Sequence, residues 1–260
     1  MTRVIGRNVF RTTCCGTFVS STAFGSINLM AYEYWTDGRK VGSLMPEDGG
    51  LRECSCGEYF LIGDCERVMT LENAKPIAPE NWQSIKSNWW TKLMGKPTKA
   101  DILLHYDTRS KQEIDATNLC VPDSKHVPDV SMPKVFNQEK ASKSLLIAAR
   151  RRYWRYLNDG QRDVYRNHRK IYGQSFPSYQ LTVEQAENMF LLIELLQKPY
   201  SSNWIEVAEL YRELGDYKAS IDALSEHRGT KTQLGLVVGN LAKLSISSPA
   251  RYRLHPDQTE

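Results

Sequence analysis

Apolar residues change their spacing along this chain of 260 residues. Over residues 17–24, 29–35, 39–45 and 58–62, β-branched and aromatic side chains recur in short runs separated by Gly, Asn and Asp, which predicts short antiparallel strands. Asp37-Gly38, between Trp35 and Arg39, is the dipeptide of a two-residue hairpin turn in which both positions take positive φ. From about residue 134 the period becomes helical. Leu146, Ala149, Tyr153 and Leu157 form one stripe, with Arg151, Arg152 and Arg155 on the solvent side of it. Asn158-Asp159-Gly160 predicts a break and a fresh cap, with a second helix running to about Ile171. Thr182 followed by Gln185 has the form of a capping box. It opens a helix over 183–197 that turns Met189, Leu192, Ile193 and Leu196 inward. A last helix is expected over 230–245.

Residues 201–226 carry the most specific pattern. Trp204, Val207, Ala208 and Tyr211 lie on one helical stripe. Ser202 or Asn203 can cap that helix, and Glu206 stands where a box partner for Asn203 would. Gly215 ends it in a left-handed turn. Asp216 then caps a second helix whose apolar positions are Tyr217, Ile221 and Leu224. With Trp204, Ala208, Tyr211, Gly215, Tyr217, Ser220 and Leu224 in place, this hairpin resembles one tetratricopeptide repeat. The resemblance implies protein binding, with no chemistry supplied by the hairpin itself. No second copy of equal quality occurs in the chain.

Between the two patterns, Pro76, Pro79, Pro97, Pro122, Pro128 and Pro133 predict loops. One helix interrupts them over 81–94, with Trp82, Ile85, Trp89 and Leu93 on one face as a core stripe, and 121–133 reads as a linker. The expected class is therefore α+β: a small antiparallel β region over 1–68, a proline-rich connection over 69–133, and an all-α bundle or short solenoid of six helices over 134–260.

Cysteine adds a candidate site. Cys14-Cys15-Gly16 and Cys54-Ser55-Cys56-Gly57 lie about forty residues apart at the two ends of the β region. Paired cysteine clusters each followed by Gly resemble the knuckles of a zinc ribbon, where four thiolates close a tetrahedral site around a structural Zn2+. Knuckles ordinarily place two residues between their cysteines; here there are none in the first pair and one in the second. Adjacent cysteines reach one ion only with strain. An ion could then take Cys15, Cys54 and Cys56 with Cys14 or a displaced Cys65, or the ribbon could have kept its fold without metal. Four thiolates leave no open position for catalytic water. Cys65 and Cys120 have no motif around them and are expected to be buried thiols.

Charge alters the picture locally. The whole chain is only +4, but residues 134–172 hold eleven Lys or Arg against Glu139, Asp159 and Asp163, with Tyr153, Trp154, Tyr156 and Tyr165 interleaved. Such a composition suits phosphates and stacked bases. It equally suits an ordinary solvated helix face, or a contact made by Arg151, Arg152, Arg155 and Arg166 with an acidic protein. Residues 1–30 contain no uninterrupted apolar run, so neither a signal nor an anchor is expected and a cytoplasmic location is.

No phosphate loop, HExxH helix or GxSxG elbow is present. His105, His126, His168, His227 and His255 are scattered, and nothing in the spacing selects Cys120 with His105 or His126 as a thiol nucleophile. A ribbon-like start, the RRRYWRYLNDGQRD stretch and one repeat-like ELYRELGDYKASIDAL hairpin are together similar to a group of uncharacterised bacterial proteins. The expectation is a non-catalytic protein that binds another protein through its helical half, as an adaptor or as an immunity-type neutraliser of a toxin or enzyme. Nucleic-acid binding by the ribbon and the basic helices is the alternative.

Overall fold

The computed structural model describes residues 3–26, 31–42, 50–72, 124–172, 175–197, 203–226 and 232–252. The Trp-bearing helix expected over 81–94, His105 and Cys120 lie outside these residues, as do His227 and His255. The class is α+β, with small antiparallel sheets near the N-terminus and helices after them. The chain divides into two compact units, each made of two stretches: Met1–Ile27 with Arg52–Lys125, and Asn28–Leu51 with His126–Glu260. This division differs from the expected boundary, because residues 28–51 belong to the helical unit.

The first unit is built on β1 (Arg3–Arg11), β2 (Phe18–Ser26) and β7 (Glu66–Glu72), in the order β2-β1-β7. The central strand, β1, was not expected, because Gly6, Arg7 and Asn8 hide its alternation. Pairing is antiparallel throughout, with Phe10 opposite Val19 on one side and Arg67 on the other. Phe10, Val19, Cys54 and Phe60 make the small buried core, with Ile62 and Cys65 against it. β5 (Leu51–Glu53) begins where the chain re-enters this unit and is joined to its neighbour β6 (Tyr59–Leu61) by the second cysteine knuckle.

The helical unit contains α1 (Met132–Phe136), α2 (Lys143–Leu157), α3 (Asp159–Tyr172), α4 (Val183–Leu196), α5 (Trp204–Glu213), α6 (Tyr217–Glu226) and α7 (Gln233–Lys243). The six longer helices are those expected. Part of the expected linker forms structure, in a short strand β8 (Lys125–His126) and then α1. A small sheet is ordered β4-β3-β9, from β3 (Glu33–Trp35), β4 (Lys40–Val41) and β9 (Arg251–Tyr252). The turn between β3 and β4 differs from the two-residue form. Only Gly38 has positive φ, at 78°, Gly38 N–H donates to Trp35 O, and the loop spans three residues.

Three apolar clusters hold the helical unit, one of them joining Trp35, Tyr165, Leu241 and Ala250. Trp154, Met189, Leu192, Ile193, Leu196, Val207 and Leu210 form the second; Ala208, Ala223, Leu224 and Val238 form the third. The α5–α6 hairpin closes as its pattern predicts. Gly215 sits at φ 83°, its N–H donates to Arg212 O, and Asp216 N–H donates to Tyr211 O. This is the double carbonyl closure of a Schellman turn. Asp216 Oδ1 then accepts from Ala219 N–H to cap α6. The Thr182–Gln185 box forms in both directions. The Asn203 side chain makes no capping bond, and Trp204 and Tyr211 are half-buried, the deeper positions being Val207, Ala208 and Leu210. No helix among the described residues is long and apolar enough to cross a membrane.

Candidate metal centre

The two knuckles are turns that fold back on their own backbone. In the first, between β1 and β2, Thr12 N–H donates to Thr17 O at 2.8 Å and Gly16 N–H to Thr12 O at 3.1 Å. In the second, between β5 and β6, Cys54 N–H donates to Glu58 O at 2.8 Å and Gly57 N–H to Cys54 O at 3.0 Å. Gly16 and Gly57 stand at φ 72° and 90° with open space where a Cβ would be, so conformation rather than room requires glycine there.

Both turns aim sulfur at one point. The Sγ atoms of Cys14, Cys15, Cys54 and Cys56 all lie within 4.8 Å of one another. Separations are 3.5 Å for Cys15–Cys54, 3.6 Å for Cys56–Cys14 and 3.9 Å for Cys14–Cys15. Thiolates 2.3 Å from a tetrahedral zinc stand about 3.8 Å apart, so the spacing fits a single ion. Adjacent cysteines therefore do reach one site. Cys65 does not join it, its thiol donating instead to Leu61 O at 3.4 Å.

The four sulfurs are not equivalent. Cys15 is pulled down to about 6, first by the Thr17 hydroxyl, then by that of Thr12 and by the Thr17 backbone N–H. Burial would raise Cys54, but the Cys56 N–H and the Thr17 hydroxyl outweigh it and hold it below the ordinary thiol range. At Cys56 the Glu58 N–H lowers, yet burial and the Cys54 and Cys15 thiols leave it raised. Each of these three faces the backbone N–H two residues on, the arrangement that stabilises a metal-bound thiolate. Cys14 has no such N–H, and burial pushes it up to about 12. Only Cys54 is buried, so the site lies at the surface with one leg in the apolar core. Thr12 and Thr17, which sequence reasoning overlooked, supply the hydroxyls; Thr12 stands three residues before Cys15, where a regular knuckle has its first cysteine.

The four arginines singled out for partner contact are engaged inside the helical unit. Arg151 grips Glu206 with two bonds of 2.6 and 2.7 Å. Arg152 is buried and bonds Asp129 and His126, a correction to its expected solvent position that arises because α2 packs on two sides. Arg155 donates to Asp37 O at 3.1 Å, and Arg166 pairs with Glu33 and Asp163 at 2.7 Å each. Arg151 and Arg155 are only half exposed.

Sequence reasoning also missed a buried polar network behind them. Asp37, expected only as a turn residue, has a fully buried carboxylate that accepts from Arg162 and from Asn158 at 3.2 Å. Asn158 is a hub rather than a breaker. Its amide also donates to Glu213 at 3.0 Å, and its carbonyl accepts from Tyr179 at 3.2 Å. Trp154 Nε1 donates to the same Glu213 at 2.7 Å, and Arg212 closes a buried fork on Glu209 at 2.6 and 2.7 Å. No family model matches the chain, and neither a curated protein nor a solved structure matches it.

Proposed function

We propose that the chain is a non-catalytic binding protein, an adaptor or an immunity-type neutraliser of a toxin or enzyme, whose helical unit holds a protein partner. A structural zinc on Cys14, Cys15, Cys54 and Cys56 keeps its N-terminal unit folded. The observation that supports partner binding is the outer face of α4. Val183, Phe190 and Leu191 are 76%, 55% and 41% exposed, about two turns apart on one side of a helix whose other side fills the main core. Apolar side chains clustered on an outer face mark contact sites more often than singly exposed ones do. This face takes precedence over Arg151, Arg152, Arg155 and Arg166, each of which already bonds a group within the unit.

A capture experiment tests it. Phe190→Asp changes an exposed position, so stability should move by no more than about 0.5 kcal/mol. A protein retained from native lysate by the parent should be lost with Phe190→Asp, survive nuclease treatment, and bind with a shallow dependence on salt. Nucleic-acid binding, the alternative, draws on the exposed Lys134, Lys140 and Lys170. It would show as nuclease-sensitive capture with log affinity falling steeply and linearly against log salt. Metal analysis of protein purified without added metal should find one zinc per chain; a redox-active iron would overturn the zinc assignment.

A further inference from the structure

The helical unit carries a cleft of about 770 Å³ that none of the foregoing uses. Arg166, Arg169 and Lys170 line it from the last turns of α3, at positions i, i+3 and i+4 of one face. Arg251 and Tyr252 line it from β9. Four cations around one concavity repel one another, and the fold holds them there by fixing two on a carboxylate that also lines the cleft. Glu33 takes Arg166 at 2.7 Å and Arg251 at 3.1 Å. Burial would raise the Glu33 carboxyl, but the hydrogen bonds from Arg166 and Trp35 and the charges of Arg166 and Arg251 outweigh it and keep it ionised. Asp163 braces Arg166 from the outer side, and the Arg166 and Arg169 guanidiniums lie 5.3 and 5.8 Å from the rings of Trp35 and Tyr165.

The cleft is thus lined by three guanidiniums and one ammonium, with Arg166 and Arg251 fixed on Glu33 before any ligand arrives. Glu33 inside the cleft and Asp163 on its outer side leave two positive charges in excess, which a singly charged ligand would not balance. A phosphate dianion would, because guanidinium forks match its oxygens two at a time. The volume falls in the range of sites that enclose a nucleotide-sized molecule. Tyr252, paired with Tyr34 at 6.0 Å between ring centroids, gives the cleft an aromatic wall beside the cations. The geometry points to a binding site for a phosphate-bearing small molecule of nucleotide size, held by Arg166, Arg169, Lys170 and Arg251. The site shares no residue with the α4 face or the cysteine centre, so it stands or falls independently of the proposed function.

Calorimetric titration of the full chain tests it, with adenosine monophosphate, adenosine and inorganic phosphate as probes. The monophosphate should bind and adenosine should not, and inorganic phosphate should compete. Lys170→Glu should weaken the monophosphate at least tenfold, about 1.4 kcal/mol. Lys140→Glu makes the same charge change at an exposed residue outside the cleft and should alter affinity no more than about twofold, since screening limits distant charges. Tyr252→Leu should weaken the monophosphate and leave inorganic phosphate unchanged; inorganic phosphate binding as tightly as the monophosphate would overturn the nucleotide-sized ligand. Absence of binding by every phosphate probe up to millimolar concentration overturns the proposal. So does equal loss in the two Glu variants, which would mean a diffuse field rather than a site. An oligonucleotide that binds far more tightly than the monophosphate would also overturn it, making the cleft part of a nucleic-acid surface.

Discussion

The two units stabilise themselves by opposite means. Among the described residues, the cluster at the centre of the first joins four buried apolar residues, one of them a cysteine. A cluster of that size supplies little burial energy, and small modules often rely on a metal or disulfides. Here the same sulfur that packs against Phe10 and Phe60 belongs to the four-cysteine centre. The second unit has three apolar clusters and can enclose Asp37, Arg162, Glu209 and Arg212 among them. Removing ions from water costs several kcal/mol apiece, and only a large core can offset that. The contrast teaches where each unit is fragile: the first at its sulfurs, the second wherever a buried charge loses its partner.

The sharpest way to break the comparison is to take away the zinc proposed for the four cysteines. Structural zinc contributes on the order of 10 kcal/mol to the folding of small modules, more than this core can replace. Chelation, or Cys54→Ser, should abolish amide-exchange protection in β1, β2, β5 and β6 and leave the helices protected. Cys14→Ser should lower zinc affinity least of the four, because its sulfur lacks a backbone N–H. Protection that survives complete loss of zinc would show that the sheet stands by its own packing.

In the second unit, Arg162→Ala leaves the Asp37 carboxylate buried without its cation. Breaking one side of a buried pair costs about 3–5 kcal/mol, read as a lower urea midpoint with an unchanged slope. Values near zero would mean that Asn158 and the Arg39 N–H, which donates to Asp37 at 3.0 Å, satisfy the carboxylate unaided. A smaller effect is expected at Gly215. Nothing lies within 4 Å of a Cβ built there, so Gly215→Val tests backbone conformation alone. It should cost at least about 1 kcal/mol, and a variant that melts like the parent would remove the strain argument from the hairpin.

Local rules made much of this fold legible. The capping box at Thr182 and the Schellman turn at Gly215 are decided by backbone groups a few residues apart, so sequence carries them directly. The cysteine centre was visible because glycine follows each pair, although spacing alone suggested strain at Cys14–Cys15. What stayed hidden depended on distant partners. Asp37 looked like turn chemistry, Asn158 like a helix breaker, and Arg152 like solvated surface. Each is defined by residues from 23 to 125 positions away. Pattern reading sends charges outward, and the helical unit draws several of them in. β1 was missed for the complementary reason: its glycine, arginines and asparagine are tolerated because the neighbours on both sides, β2 and β7, supply the pairing.

Glu213 gives the subtlest test of that inward charge. Burial pushes its carboxyl well above the usual range, the Glu209 charge adds to this, and Arg212 only partly opposes it. A carboxyl with an ordinary unfolded pKa of about 4.3 and a raised folded one binds more protons folded than unfolded between those two values. Its contribution is therefore complete below the unfolded pKa and is lost as pH rises through the folded pKa. Glu213→Gln copies the protonated side chain. Its carbonyl can still accept from Trp154 and Asn158, which donate to one oxygen at 2.7 and 3.0 Å. The substitution should change stability by no more than about 1 kcal/mol near pH 5, the smallest effect of the series. It should also flatten the decline that the parent shows at higher pH. A Gln variant whose stability falls with pH in parallel with the parent would assign that dependence to another group. A loss of several kcal/mol at pH 5 would mean that Glu213 is ionised in the fold and that Arg212 holds it so.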